Sequence, residues 1–273
     1  PDVVFAKGGY ASFPTLFAAR LLSIPVVVHE SDTVPGRTTK WAGKFAHRVA
    51  LSYQEASKFY PSEIVALTGQ PIRDEILPPE NYKREYVKKD RPVILIFGGS
   101  QGSQTINDAM VEIIPTLLNT YDIVHQTGSA NIDRIKEITK TVLQGHPFKD
   151  RYYAEGFLDV SLFYPKVDMV ITRAGSSMFE MVLWQLPMIV VPIPETISRD
   201  QRSNAYAMAA HGFAIVLEEN NMGANILSSA ISRILESEET YKGMIKNAAF
   251  FDDARSAASV IARELIRISL SHS

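Results

Sequence analysis

The residues best suited to chemistry lie in a glycine-rich run at positions 98–102, Gly-Gly-Ser-Gln-Gly. The run matches the G-x-S-x-G nucleophile elbow of α/β-hydrolases, with Ser100 as the nucleophile. It equally matches a strand-to-helix turn whose backbone N–H groups bind a phosphate. A hydrolase also needs an acid and then a histidine later in the chain; His125, His146 and His211 follow, but none comes after a convincing acid at a strand end. On this segment alone, both interpretations stay open.

A second polar segment follows an apolar run and contains Gly175, Ser177 and Glu180. Its Ser-x-x-Glu spacing predicts a capping box at the start of a helix. The alternative to a purely structural cap is a binding role, because a carboxylate in the first helical turn at a sheet edge can accept hydrogen bonds from ribose hydroxyls. The positive end of the helix also favours an anionic diphosphate nearby.

A third polar segment begins at Ser198, and the spacing of Ser198 to Gln201 predicts another capped helix. The same segment carries Asp200 and Asn204. Amide side chains recognise hydroxyl groups through paired donors and acceptors. The alternative to one more capped helix is therefore a set of side chains that bind a sugar.

Apolar, β-branched runs precede these segments and recur along the chain. Strands that alternate with helices of about 10–15 residues predict an α/β fold with parallel sheets built from βαβ units. The predicted strands are 3–5, 24–29, 49–53, 64–67, 93–97, 123–126, 152–155, 169–172, 188–192 and 214–217. Ligands of open α/β sheets bind outside the carboxyl ends of the strands. Three polar segments that converge there favour a nucleotide-type ligand.

The composition excludes several classes of protein. Among 273 residues, 46% are hydrophobic and 21% are charged, which is ordinary for a globular protein with a sizeable core. A net charge of −2 gives no indication of a nucleic-acid partner. The absence of cysteine excludes disulfides and thiolate chemistry. We expect no cofactor and no tightly held metal, because no His/Asp/Glu cluster has the spacing of metal ligands. We also expect no membrane-spanning segment, because no apolar run approaches ~18–20 residues.

The first part of the chain contributes further candidates. His29 ends a predicted strand and could line a cleft. Lys40, Lys44 and Arg48 recur every four residues, which predicts the solvated face of an amphipathic helix and, less strongly, contact with an anionic membrane surface. Arg73 follows a glycine–proline turn, where it would clamp a diphosphate or form an inter-domain salt bridge. A charged, proline-flanked stretch at 78–92 predicts a linker or exposed loop between two Rossmann-like domains.

Seven segments, in order and at similar spacing, resemble the MurG family of GT-B glycosyltransferases: KGGY, VVHES, TGQPIR, GGSQGSQTIN, HQTG, ITRAGSSMFE and SRDQRSNA. These enzymes add N-acetylglucosamine to undecaprenyl-pyrophosphoryl-muramoyl-pentapeptide. The resemblance covers essentially the whole chain. It implies an acceptor and membrane-side domain at 1–72, completed by a helix at 256–273 that crosses back, and a UDP-sugar-binding domain at 73–255. It also favours the phosphate-turn interpretation of the glycine run.

The resemblance also implies roles for individual residues. On the donor side, Ser100 and Asn107 contact the donor, and Arg73 lies by the diphosphate. Leu158 lies beside the uracil and Glu180 binds the ribose. Gln201 binds the sugar hydroxyls, with Asp200 next to it. The donor segment also includes Gly175, Ser176 and Ser177, where the family usually has one more residue before the glutamate. Tyr10 and His29 line the acceptor side, and Asp32 stands where the family usually has asparagine.

One family motif does not occur in this sequence: the amino-terminal loop G-G-T-G-G-H, whose histidine the resemblance implies as the catalytic group. The catalytic residue is therefore not assigned. We expect a chain that starts part-way through the first domain, binds UDP-sugar weakly and turns over poorly.

The expected function is the inverting transfer of N-acetylglucosamine from UDP-N-acetylglucosamine to the lipid-linked muramoyl-pentapeptide in peptidoglycan synthesis. We expect a peripheral enzyme at the cytoplasmic face of the cell membrane, in contact with its anionic surface. Two alternatives are a UDP-sugar 2-epimerase, which shares the GT-B fold, and a donor-binding subunit that needs a partner chain.

Overall fold

A computed structural model describes residues 1–194 and 199–272, without the side chains of residues 199, 200 and 272. The strands are β1 Val4–Ala6, β2 Val26–Glu30, β3 Arg48–Leu51, β4 Val65–Leu67, β5 Val93–Phe97, β6 Asp122–Gln126, β7 Tyr152–Glu155, β8 Met169–Thr172, β9 Met188–Val190 and β10 Ala214–Val216. The helices are α1 Phe13–Leu21, α2 Arg37–Ala42, α3 Gln104–Leu117, α4 Ile132–Val142, α5 Ser177–Leu183, α6 Arg199–Ala210, α7 Ala224–Leu235, α8 Glu238–Asn247 and α9 Ala257–His272. Every predicted strand is confirmed to within about two residues at each end.

The chain divides into two compact units. Unit 1 comprises Pro1–Leu77 and the chain from Phe250 onward, and unit 2 comprises Pro78–Ala249. The division after Leu77 lies a few residues beyond the predicted one after residue 72. Unit 1 is discontinuous in sequence because α9 packs with residues from the beginning of the chain, as the hydrogen bond from Arg48 Nε to Glu264 Oε1 at 3.1 Å illustrates.

Unit 1 contains a four-stranded parallel sheet in the order β1-β2-β3-β4. All five residues of β2 are buried, as expected for a strand covered on both faces. The helix predicted through Lys40, Lys44 and Arg48 is wrong in length, because α2 ends at Ala42 and Arg48 begins β3. Pairing of β3 with both β2 and β4 outweighs the local helical periodicity.

Unit 2 contains a six-stranded parallel sheet in the order β10-β9-β8-β5-β6-β7. The chain builds outward from β5 in one direction through β6 and β7, and in the other through β8, β9 and β10. With right-handed crossovers, the helices after β5 and β8 must leave on opposite faces of the sheet. This topological switch point opens a crevice between the carboxyl ends of β5 and β8, the place where open α/β sheets bind nucleotides.

The stretch at 78–92 belongs to unit 2, and Arg84 attaches it there. The Arg84 guanidinium donates hydrogen bonds to the carbonyl oxygens of Trp184 at 3.0 Å, Val167 at 2.8 Å and Tyr164 at 2.8 Å. The Arg84 backbone N–H donates to Gln185 Oε1 at 2.8 Å. The predicted exposed loop is confirmed for most of the stretch, which contains no helix or strand and is largely exposed. Arg84 differs, because its partly buried side chain binds these three carbonyl groups.

We expect Arg84→Ala to lower the free energy of unfolding of unit 2 by about 2 kcal/mol, because three partly buried carbonyl groups lose a charged donor. Urea unfolding, followed by circular dichroism, measures the change. Arg134→Ala is the matched control, since its ion pair with Asp108 is largely exposed and contributes only ~0.5 kcal/mol. Equal losses for the two variants would contradict the structural role of Arg84.

Candidate functional site

The glycine turn after β5 is built around a close approach of two backbones. Gly102 and Gly128 both adopt left-handed conformations, with φ of 75° and 88°. A Cβ atom at Gly102 would lie 1.9 Å from the Thr127 carbonyl oxygen, and one at Gly128 would lie 1.9 Å from the Gln101 carbonyl oxygen. Only glycine fits at either position. The turns that follow β5 and β6 are thus in direct contact at the edge of the sheet.

Asn107 lies behind this turn. Its side chain is buried, with Nδ2 donating to the Thr127 carbonyl at 2.9 Å and Oδ1 facing His125 Nε2 at 2.9 Å. The amide therefore fixes the carbonyl group against which Gly102 packs. The geometry gives Asn107 a positioning role, and direct contact of its side chain with a ligand, as the family resemblance implies, stays a prediction.

His125 is fully buried and has partners at both ring nitrogens. Because Asn107 Nδ2 donates to Thr127, Oδ1 accepts, and His125 must carry its proton on Nε2. His125 Nδ1 then accepts from the Tyr152 hydroxyl at 2.8 Å. Burial lowers the pKa of His125 to about 3, so the ring is neutral. With both nitrogens engaged, His125 is not available as a base for Ser100, and the hydrolase interpretation has no support here.

The pKa of His125 has a consequence for stability. Because the pKa is lower in the folded protein than in the unfolded chain, the unfolded chain binds the proton more readily. The stabilisation is complete above pH 6.5 and is lost progressively as the pH falls toward 3. We expect the His125 ring signals in NMR spectra, assigned by their loss in His125→Asn, to stay unchanged between pH 8 and 5. A midpoint between pH 6 and 7 would contradict this environment.

Gln126 joins the glycine turn to the segment after β7. Its Nε2 donates to the Gly99 carbonyl at 2.9 Å, and its Oε1 accepts from the Leu158 N–H at 2.9 Å. Gln126 is fully buried and Leu158 is nearly so, whereas Ser100 is exposed at the tip of the turn. The sequence showed Gln126 only as part of a motif and gave no signal of this bridge.

Arg173, at the end of β8, connects the other side of the crevice. Its guanidinium donates to Ser103 Oγ at 2.5 Å and to the carbonyls of Val191 and Pro192 at 3.1 and 3.3 Å, and it forms an ion pair with Glu219. Ser103 is also the N-cap of α3, where its Oγ accepts the Ile106 N–H. Arg173 therefore links the start of α3 to the segment after β9, a role that sequence reasoning missed.

Glu180 lies in the first turn of α5, as predicted, but the predicted capping box is wrong in register. The helix begins at Ser177, so Ser177 lies inside it, and Ser176 at the N-cap position makes no side-chain cap bond. The Glu180 carboxylate instead accepts a hydrogen bond from the Tyr164 hydroxyl at 2.8 Å. A Cβ atom at Gly175 would meet nothing within 4 Å, so open space borders the start of the helix.

The third polar segment is described in part. Gln201 Oε1 accepts from the Ile193 N–H at 3.4 Å, and Asn204 is buried. Ser198 and the Asp200 side chain lie outside the described residues, so the second predicted capping box and the role of Asp200 stay predictions. Gly212, with φ of 71°, follows α6 and confirms the predicted helix stop.

The four remaining candidates belong to unit 1. Tyr10 is 94% exposed, Arg73 is exposed and Asp32 is partly buried in the loop after β2. His29 is buried at the end of β2, with Nε2 lying 3.1 Å from the Gly69 carbonyl oxygen. Burial, followed by the charge of Lys7, lowers the pKa of His29 to about 4. Their proposed ligand contacts stay predictions.

The sequence missed the role of Glu30, next to His29. Its buried carboxylate accepts the backbone N–H groups of Asp32 at 3.1 Å and Gly36 at 3.3 Å, together with the Thr39 hydroxyl. Burial raises the pKa of this carboxyl group. Glu30 therefore shapes the loop that carries Asp32.

Within the described ranges, no group of three or more histidines and carboxylates is placed to hold a metal ion. Among the described residues, no helix is both long enough and apolar enough to cross a membrane.

Two compact units with parallel sheets, together with the likeness of the chain to solved structures, identify the fold as GT-B. In solved structures, MurG from Acinetobacter baumannii superimposes with a TM-score of 0.73 at 24% identity, over 96% of this chain and 73% of that one. A putative UDP-N-acetylglucosamine 2-epimerase from Listeria monocytogenes superimposes with a TM-score of 0.68 at 16% identity, over 96% and 73%. These likenesses show the fold.

The chain belongs to glycosyltransferase family 28. Residues 93–262 match the family's C-terminal domain and residues 1–51 match its N-terminal domain. A relative from Bacillus anthracis is 36% identical over 251 residues, which are 90% of this chain and 69% of the relative. That protein is named UDP-N-acetylglucosamine–N-acetylmuramyl-(pentapeptide) pyrophosphoryl-undecaprenol N-acetylglucosamine transferase 2.

Proposed function

We infer that this chain is a hexosyltransferase that moves N-acetylglucosamine from UDP-N-acetylglucosamine to the lipid-linked N-acetylmuramyl-pentapeptide of peptidoglycan synthesis. The sequence relationship to transferases of that name over nine-tenths of the chain supports the substrates. One structural observation supports the donor site: the glycine turn before α3 and the helix that holds Glu180 follow β5 and β8, the two strands that flank the switch point.

The crevice suits the chemistry of this transfer. An acceptor hydroxyl attacks the anomeric carbon of the sugar and loses its proton to a general base. The bond from that carbon to the diphosphate breaks and UDP leaves, with inversion as in the MurG family. Negative charge then develops on the diphosphate. The backbone N–H groups of the glycine turn and the N-terminus of α3, a helix of 14 residues, stabilise that charge. Such preorganised electrostatic stabilisation is often the largest contribution to catalysis.

We propose that Glu180 binds the ribose of the donor. Calorimetry with UDP-N-acetylglucosamine is expected to show binding by the wild type, with weaker binding of UDP-galactose. Glu180→Ala should weaken binding about 10- to 100-fold, because hydrogen bonds to a charged group contribute about 1.5–3 kcal/mol. Glu137→Ala, which removes an exposed carboxylate from the same unit, is the control. No binding by the wild type would contradict the donor site, and full binding by Glu180→Ala would contradict the ribose contact.

The fold likeness to a 2-epimerase favours one other candidate function. Incubation with UDP-N-acetylglucosamine alone distinguishes the two, because an epimerase inverts C2 of the sugar without an acceptor. Proton NMR of the nucleotide sugar should show no C2 epimer. Accumulation of the epimer would replace the transferase with an epimerase.

We further propose that the enzyme works peripherally at the cytoplasmic face of the membrane, through a surface patch of unit 1. The patch consists of Phe13, Phe17, Leu21 and Leu22, which are 42%, 46%, 69% and 70% exposed. Phe13, Phe17 and Leu21 are four residues apart and share one face of α1. Arg20 is a cation beside them, 4.9 Å from the Phe45 ring centre. Exposed apolar side chains next to basic ones favour an anionic lipid surface.

Vesicle sedimentation tests this patch. We expect the wild type to bind vesicles of phosphatidylglycerol more tightly than vesicles of phosphatidylcholine. The double substitution Leu21→Asn and Leu22→Asn should weaken binding at least fivefold, since the loss of each buried apolar side chain costs about 1 kcal/mol or more. Leu270→Asn, an equally exposed leucine of unit 1 at 76%, is the control. Binding that depends on Leu270 but not on the patch would contradict the proposal.

A further inference from the structure

Tyr164 is a buried residue that none of the roles above uses. It lies after β7, between a short helical turn at Val160–Leu162 and the start of β8, and its side chain is fully buried. Its hydroxyl group donates a hydrogen bond of 2.8 Å to Glu180 Oε2. The buried Tyr164 phenol is therefore hydrogen-bonded to a carboxylate of the candidate donor site.

The Tyr164 hydroxyl is a permanent donor. Burial and the neighbouring Glu180 charge raise the pKa of Tyr164 far above the physiological range, so the proton stays on the phenol. A hydrogen bond from a hydroxyl to a charged carboxylate is stronger than one between two neutral groups. It also restricts the rotation of a glutamate side chain that has three rotatable bonds.

The position of Tyr164 is itself fixed by the Arg84 contacts. The Arg84 guanidinium donates hydrogen bonds to the carbonyl oxygens of Tyr164 and Trp184, and movement of either carbonyl would break its bond. The Trp184 ring, at the end of α5, lies 6.4 Å from the Tyr164 ring and 4.8 Å from the Tyr82 ring. The phenol and the helix that carries Glu180 are thus held to the same anchor.

We propose that Tyr164 is a positioning residue for ribose recognition: its hydroxyl holds the Glu180 carboxylate in the orientation that accepts hydrogen bonds from the ribose hydroxyls. Tyr164 thereby sets the preference of the site for ribonucleotides over deoxyribonucleotides. The inference rests on the proposed function, in which Glu180 binds the ribose of a UDP-sugar.

The experiment compares the dissociation constants of UDP, 2′-deoxy-UDP and 3′-deoxy-UDP by calorimetry. The wild type should bind UDP about tenfold more tightly than at least one of the deoxy analogues, since ~1.4 kcal/mol corresponds to a factor of ten. Tyr164→Phe keeps the ring and removes the donor. It should reduce this ratio at least threefold while binding that analogue within twofold of the wild type, and Glu180→Ala should abolish the ratio.

Tyr241→Phe is the matched control. Tyr241 is as deeply buried in unit 2, and its hydroxyl donates to the Asp168 carbonyl at 2.8 Å, away from the carboxyl ends of the strands. Its substitution should leave the ratio unchanged. In the Glu180→Ala background, Tyr164→Phe should have no further effect on the ratio, because its action passes through the carboxylate.

The outcomes separate this inference from the proposed function. If Tyr164→Phe weakens all three ligands equally or leaves the ratio intact while Glu180→Ala abolishes it, Tyr164 is not a positioning residue and the ribose contact stands. If Glu180→Ala keeps the ratio, the ribose contact and the inference both fail. If Tyr164→Phe prevents folding, the ratio is measured in Glu180→Asp, which keeps the charge but withdraws the carboxylate from the Tyr164 hydroxyl by one methylene, and is compared with that of the wild type. An unchanged ratio there overturns the inference.

Discussion

The candidate donor site of unit 2 depends on one steric constraint, the contact between the turns that follow β5 and β6. At Gly102 and Gly128 the two backbones approach so closely that a Cβ atom on either would overlap a carbonyl oxygen of the other. The contact sets where α3 begins and where the loop after β6 turns. It follows that the crevice at the switch point has its shape from backbone geometry, and that side chains refine it.

The refinement comes from polar groups buried behind the surface. Asn107, which is itself held by His125, donates to the Thr127 carbonyl. Gln126 bridges Gly99 and Leu158, and Arg173 links the N-cap of α3 to the segment after β9. Each donor in these networks faces an acceptor, so none carries the penalty of an unsatisfied buried group. The crevice of the candidate site is therefore preformed, and preformed sites reduce the ordering cost of binding.

The order and type of the elements could be predicted from sequence because apolar runs and turns report local structure, and β5, β7 and β8 match the prediction to the residue. Contacts over long distances in sequence could not. Ser177 and Glu180 have the spacing of a capping box, but the Glu180 carboxylate accepts a hydrogen bond from Tyr164, 16 residues away. Gln126 finds its partners 27 and 32 residues away. The periodicity of Lys40, Lys44 and Arg48 predicted a helix where pairing with β2 and β4 imposes a strand.

The discontinuity of unit 1 has a consequence for how the chain acquires its structure during synthesis. Arg48 leaves the ribosome 216 residues before its partner Glu264. At about 5–20 residues per second this delay is roughly 10–45 s, in which all of unit 2 is made. The synthesis of unit 1 therefore begins before that of unit 2 and ends after it. Until α9 emerges, the sheet face that this helix covers is accessible to chaperones. A nascent chain stalled within unit 2 would keep that face exposed.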